Sequence, residues 1–287
     1  MKKFDRRILI PIIIFFLLIC LGAVGYLVFK NFNIQQANEL YRQLQTTAAV
    51  TETSGSSGTT TESGNAAQMT TQNPSDVAPR VENPIDFQQM MAINPDVYAW
   101  ISIPDTNVDY PVAQSDEYDN FYLDHNIYKE YSFPGTIYSQ SCNSKDWSDR
   151  VTLLYGHNML DGSMFATLHQ FRDEDFFNSH PYFYIYTQNR KLTYEIVTAF
   201  DYDDKHIMNS YNFKDDAVFQ DWINEAKRPK DLYANVRAST KLDLNSKFVV
   251  LSTCQNGGDG RYLIQGVMIK DEPTKLAESA TEISENE

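Results

Sequence analysis

Between Ile8 and Phe29 the chain runs for 22 residues without a charged side chain. At a rise of about 1.5 Å per residue, a helix of that length crosses the roughly 30 Å hydrocarbon core of a bilayer. Lys2, Lys3, Arg6 and Arg7 precede it. The excess of positive charge keeps the short N-terminus in the cytoplasm and sends everything after Lys30 outside. A cleaved signal peptide has a shorter apolar region, about 7–15 residues, and a small-residue cleavage site. The length therefore predicts an uncleaved signal-anchor. Residues 1–7 form the cytoplasmic N-terminus, 8–29 a single transmembrane helix in the cell membrane, and the remainder an extracellular part.

That remainder divides by composition. Residues 30–82 read as a flexible extracellular stalk. Asn33 to Gln45, polar with spaced Ile34, Leu40 and Leu44, continues the membrane helix for a few turns, and from Thr46 to Asn83 there is no aromatic residue. Thr, Ser, Gly, Glu and Ala dominate that stretch, and such a segment buries too little apolar surface to offset its ordering entropy. Residues 83–271 read as one folded domain and 272–287 as a disordered acidic tail. The formal charge of −14 argues against binding nucleic acid through a basic face. The cysteines, Cys20, Cys142 and Cys254, sit in unrelated contexts, with neither a disulfide framework nor zinc spacing. No metal or cofactor is expected.

Within the domain, Asn83-Pro84 supplies a helix cap and first turn. Phe87, Met90 and Met91 make an apolar stripe, and Asn94-Pro95 a stop. Strand-like runs follow at 98–103, 108–112, 135–139, 151–155, 182–187, 192–202, 248–253 and 262–269. Eight short strands with few helices predict a mainly β fold closed into a barrel. Two helices interrupt them. One covers 163–171, with Phe165, Leu168 and His169 on one side. The other lies in an insertion, 203–247, before the last pair of strands. There Phe219, Trp222, Ile223 and Ala226 fall at i, i+3, i+4, i+7, the spacing of a helix that buries one face.

The chemistry concentrates at that last pair. Phe248-Val249-Val250-Leu251-Ser252-Thr253-Cys254 and Arg261-Tyr262-Leu263-Ile264 flank Gln255–Gly260, a stretch of turn residues. A hairpin sets the residue ending one strand beside the residue starting the next, roughly 5 Å apart between Cβ atoms. A thiol and a guanidinium then share one sheet edge. A neighbouring cation favours the nucleophilic thiolate, and the same cation stabilises an oxyanion once the sulfur attacks a carbonyl. His157, in Tyr155-Gly156-His157-Asn158 at the end of the 151–155 strand, supplies an acid/base.

The Leu-Ser-Thr-Cys box, an Arg seven residues later, and the Tyr-Gly-His-Asn box about a hundred residues upstream resemble the sortases. Ser252 and the long insertion resemble class B. The resemblance covers roughly 84–270. It implies an eight-stranded barrel with an N-terminal helix and a helical insertion before the catalytic strand. It also implies a cysteine transpeptidase with Cys254, His157 and Arg261 as catalytic residues. Ser252, Thr253, Asn158, Tyr155 and His125 are then substrate-binding or supporting residues. His125, in a Leu-x-His segment, is similar to a second histidine near the site in this family. The implied partners are secreted proteins with a Pro-containing sorting motif and, as acceptor, an amine of a peptidoglycan precursor or a pilin. The implied insertion helix walls one side of the substrate groove; by its pattern alone it covers the barrel, and both readings can hold. One departure concerns Tyr138-Ser139-Gln140-Ser141-Cys142-Asn143, where sortase-like chains often carry an acidic residue, an aromatic and Arg-Asn.

Each site residue also has a plainer reading. Most free cysteines are small buried hydrophobes, most exposed arginines make surface ion pairs worth little, and His169, His180 and His206 compete with His157. Asp124, Asp259 and Glu117 are open candidates for a group orienting His157. Alternatives for the whole chain are an extracellular cysteine peptidase with water as acceptor, and a non-catalytic surface-binding domain.

Overall fold

The computed structural model describes residues 6–48, 80–257 and 259–275. The apolar run is helical, and the helix continues past its end: α1 spans Arg6–Ala48. Among the described residues, none buries its most apolar 18-residue window. Farther along, Ala37, Tyr41, Leu44 and Ala48 are buried against the domain core. Those four positions recur with helical spacing, so they form one apolar stripe that stays helical by packing. The helical continuation expected over 33–45 is present and reaches Ala48; its packing on the domain departs from the flexible stalk expected for 30–82. The rest of that stalk, 49–79, lies outside the described residues.

The next helix, α2, is Phe87–Ile93. Its cap is Asp86, whose carboxylate accepts from Gln89 N at 3.0 Å, and not Asn83. Asn83 makes a tighter local turn, accepting from Ile85 N at 3.1 Å while its amide donates to Thr187 O at 2.9 Å.

Among the described residues there are nine strands: β1 Val97–Ser102, β2 Asp109–Ala113, β3 Ile137–Tyr138, β4 Val151–Tyr155, β5 Tyr182–Tyr186, β6 Arg190–Tyr202, β7 Asn235–Val236, β8 Phe248–Cys254 and β9 Arg261–Pro273. The order β5-β1-β2-β3-β4-β8-β9-β6 closes through a β5–β6 pairing, which makes the eight-stranded barrel. The two-residue β7 hangs on the free side of β6 and is not part of the ring. The β2–β3 and β4–β8 pairs are parallel and the others antiparallel. β9 runs beyond 271, and Thr274 pairs with Val81, so the expected tail starts inside a paired segment. Residues 276–287 lie outside the described residues.

The helical stretch expected at 163–171 is a 3-10 helix, Ala166–Arg172, followed by α3, Glu174–Ser179, capped by Asp173. The insertion carries a short α4, Ile207–Ser210, and α5, Asp216–Lys227. Phe219, Trp222, Ile223 and Ala226 of α5 are all buried, as their spacing requires. They pack with Phe248, Val250 and Leu263 in a core outside the barrel, whereas Val249, Leu251 and Ile264 belong to the core inside it. Side chains alternate along a strand. Ser252, Cys254 and Arg261 therefore lie on the outer side, the one α5 covers, and Thr253 on the inner side.

Candidate active site

The site forms where three strands end together. The β8–β9 ladder pairs Phe248 with Val267 at one end and Cys254 with Arg261 at the other. On that last rung Arg261 Nη1 lies 3.4 Å from Cys254 Sγ. Cys254 is the exposed residue of an otherwise buried strand. Among the described residues no carboxylate pairs with Arg261. Its fork is thus left for the sulfur and whatever the sulfur attacks.

β4 runs parallel to β8 with Tyr155 opposite Ser252, so both chains leave the sheet at the same edge. Gly156 N donates to Ser252 O at 3.2 Å, extending that pairing by one bond. A Cβ at Gly156 would meet Ile137 Cδ1 at 2.5 Å and the Phe165 ring at 2.7 Å, which requires glycine there. Asn158 Nδ2 then donates to Cys254 O at 3.0 Å and to Asn256 Oδ1 at 2.7 Å. The loop after β4 is thereby tied across the end of β8.

His157 sits between these anchors. Its Nε2 lies 2.8 Å from Leu123 O. A carbonyl only accepts, so Nε2 carries hydrogen, and Nδ1 is the nitrogen that exchanges a proton. The Phe133 ring is stacked on the imidazole, with centroids 5.9 Å apart and planes 15° from parallel. Burial pushes the His157 pKa below its ordinary value; the Leu123 carbonyl and Asp124 oppose that shift. The neutral ring is favoured. Among the described residues no hydrogen bond joins His157 directly to Cys254; Asn158 bridges them. Catalytic hydrogen bonds often close only once substrate is bound.

The group orienting His157 is therefore a backbone carbonyl, and not Asp124, Asp259 or Glu117. Asp124 reaches His157 only through its charge, and Glu117 pairs with Lys129 at 3.7 Å. His125 bonds through Nδ1 to Phe121 O at 2.9 Å, pairs with Asp124 and stacks on Phe121. It belongs to the loop that receives His157, and among the described residues no hydrogen bond joins it to Cys254. Tyr155 stacks on Tyr138 and donates to Gln140 Oε1 at 3.3 Å. Ser252 and Thr253 are buried. Ser252 contributes its backbone carbonyl to the site, and Thr253 faces the barrel interior. Burial first, then Asp119 and Asp149, push the Cys142 thiol up.

One residue brought to the site was not marked by its sequence context. His169, on the 3-10 helix, places Nε2 3.0 Å from Cys254 O, and Arg172 Nε donates to its Nδ1 at 3.3 Å. Arg172 forks onto Asp201, with Nη1 at 2.9 Å from one oxygen and Nη2 on the other. Both His169 and Arg172 lie over the Tyr262 ring. Cys254 O thus accepts from two side chains, Asn158 and His169. The only local signal is the His169/Arg172 spacing, and nothing in it points 85 residues onward.

A family model described as the Sortase domain matches residues 101–269. Sortase B of Listeria monocytogenes is 32% identical over 187 residues, covering 64% of this chain and 74% of that protein. The solved structure of Clostridium perfringens sortase B is 31% identical with a TM-score of 0.58, covering 64% of this chain and 99% of that one. A Streptococcus pyogenes class B sortase involved in pilus biogenesis is 32% identical with a TM-score of 0.55, covering 63% and 97%.

Proposed function

The chain belongs to the sortase family as a class B-like cysteine transpeptidase, and we propose that Cys254 is its nucleophile, His157 its acid/base and Arg261 its oxyanion ligand. The observation that carries this reading is the terminal rung of β8–β9, with Arg261 Nη1 at 3.4 Å from Cys254 Sγ. His157, neutral at rest, takes the thiol proton on Nδ1. The sulfur attacks the carbonyl carbon of the residue before the scissile bond, Thr in this family. Arg261 and backbone N–H groups hold the oxyanion. When the C–N bond breaks, His157 returns its proton to the leaving amine nitrogen, and a thioester on Cys254 remains. An acceptor amine then attacks that thioester, gives its proton to His157 and displaces the sulfur, which is reprotonated.

The donor substrates are secreted proteins with a Pro-containing sorting motif, held extended beside Cys254. Proline pre-bends an extended peptide and lowers its ordering cost. The insertion at 203–247, rich in Asp, Asn, Lys and Tyr, suits a hydrogen-bonding pocket for a polar residue before that proline, and such a pocket rejects an apolar analogue. The acceptor is an amine of a peptidoglycan precursor or of a pilin lysine; the pilus role of the Streptococcus pyogenes relative keeps the second in view. The apolar part of α1, residues 8–29, anchors the chain once in the cell membrane, N-terminus inside and catalytic domain outside.

The test is mass spectrometry of the full chain after mixing with Asn-Pro-x-Thr or Leu-Pro-x-Thr peptides, with and without added amine. The expected result is an acyl adduct on Cys254, faster with the Asn peptide, and diversion of product from acid to amide by the amine. An adduct that yields only acid identifies a peptidase. Faster acylation by the Leu peptide overturns the specificity and leaves the chemistry standing.

A further inference from the structure

His157 stands beyond the end of β4, where no ladder fixes it. Among the described residues its one ring hydrogen bond, to Leu123 O, leaves rotation about that axis free. The parallel Phe133 ring removes that freedom, and Phe133 is itself held by α1. Asn33 Oδ1 accepts from Phe133 N at 2.6 Å, and Lys30 Nζ lies 4.1 Å from the centre of the Phe133 ring. A second hold lies one turn on. Asn38 Nδ2 donates to Asp161 Oδ2 at 2.7 Å, and Asp161 Oδ1 accepts from Ser163 N and Oγ. Asp161 and Ser163 belong to the loop that leaves His157 and closes back on it through Phe165 N, 3.0 Å from His157 O. The helix thus grips both segments that bracket the imidazole. Farther on, Tyr41 donates to Gly135 O, at the end of the Phe133 segment.

We infer that the first turns of α1 beyond its apolar run, through Lys30, Asn33 and Asn38, position His157 for acyl transfer. The helix read as a membrane anchor is also a brace of the acid/base. This rests on His157 having the role proposed above. Lys30 ends the apolar run, and a lysine there belongs at the level of the headgroups. The ring over which it lies is the ring stacked on His157, so the imidazole lies at the end of the barrel nearest the apolar run.

The experiment uses the full chain in detergent micelles with Asn33→Leu, Asn38→Leu and Phe133→Leu, and with the conservative Asn33→Asp and Phe133→Tyr. Two readouts are taken: acyl transfer to the Asn-Pro-x-Thr peptide, and the His157 imidazole resonance, assigned by its loss in His157→Gln. The charged groups facing the ring are Asp124 and, across Phe133, Lys30. The Leu variants are expected to lose roughly ten- to hundredfold in kcat, the scale of a slightly misplaced catalytic group, with KM nearly unchanged. In Phe133→Leu the His157 titration moves up, toward the ordinary imidazole range, because water replaces the ring. Asn33→Asp keeps the acceptor and Phe133→Tyr keeps the ring, so both should restore kcat and resonance. Wild-type kcat and an unmoved His157 resonance in Asn33→Leu and Phe133→Leu overturn the inference. The resonance is independent of acyl transfer. If His157→Gln still turned over, the catalytic reading would fail, and the brace would be judged on the resonance alone.

Discussion

The two halves of the site are built by different means. Cys254 and Arg261 face each other because they are the last rung of an antiparallel ladder that is in register along the whole of β8. They stand seven positions apart in sequence, and backbone hydrogen bonds do the positioning. His157 has no such frame. It is placed by a carbonyl 34 residues upstream, by the Phe133 ring, and by a helix that begins near the N-terminus. A ladder tolerates changes in side chains that do not alter its register. A borrowed arrangement depends on each lender.

The sharpest way to break the comparison is at the nucleophile. Cys254→Ala is expected to abolish acyl adduct formation and leave thermal stability almost unchanged, because the side chain is exposed at the strand end. Mass spectrometry and a thermal melt on the same preparation read both. Turnover surviving in that variant would show that the rung carries no chemistry. Next comes Arg261→Lys. An ammonium keeps the charge but not the planar fork that aims donors at one point. Losing one such donor costs about 2.7–4 kcal/mol, or roughly 10²–10³ in kcat. A Lys variant acylated at the wild-type rate would make Arg261 a surface charge that the ladder happens to hold near sulfur.

The acid/base half is tested by pH. Burial lowers the His157 pKa, so its neutral form persists to more acid solution than an ordinary imidazole's. The acid limb of kcat/KM is therefore expected below the ordinary value of about 6.5, and steady-state rates across that range check it. A limb at that value would mean that solvent, and not the Phe133 ring, surrounds the imidazole in the working enzyme. His169 offers a smaller effect on the nucleophile's side. His169→Leu removes one of two donors on Cys254 O, a net loss of about 0.5–1.5 kcal/mol. The expected fall in kcat is a few-fold, up to about tenfold at the upper end of that range. His169→Gln, which can donate to Cys254 O and accept from Arg172, should recover it. Equal rates for Leu and Gln would show that the ladder alone holds Cys254.

What was legible in the chain follows the same division. The hairpin, β4 and the α5 stripe repeat at the period of their own element, so Cys254, Arg261 and Phe219-Trp222-Ile223-Ala226 could be placed by local pattern. The histidine box stood out through its place at a strand end, but its support did not. Leu123 acts through its carbonyl, which any residue there would present. Asn33 and Phe133 meet across 100 residues, and His169 reaches Cys254 across 85. The helical start of the stalk was legible but its docking was not, because Ala37, Tyr41, Leu44 and Ala48 are thinly spread among polar residues. Their stripe has meaning only once there is a barrel to lie on. Asn83-Pro84 looked like a helix start, yet Asp86 had the better-placed side chain for the cap.

The smallest expected effect is at the other thiol of the domain. Cys142 lies in the loop after β3, beside a surface depression lined by Arg150, Met208 and Tyr211. Burial and the nearby carboxylates Asp119 and Asp149 favour its protonated form, the poor nucleophile. Neither a ladder rung nor a histidine serves it. Cys142→Ala should therefore leave kcat, KM and the acyl adduct on Cys254 as they are, with a stability change within about 0.5 kcal/mol, the usual range for surface substitutions. Alkylation of the wild-type chain by iodoacetamide supplies the matched measurement: Cys254 should be modified well before Cys142 at neutral pH. Faster modification of Cys142 would mean that its carboxylate neighbours do not control it. The difference between the two thiols would then owe less to the Arg261 rung than the geometry implies.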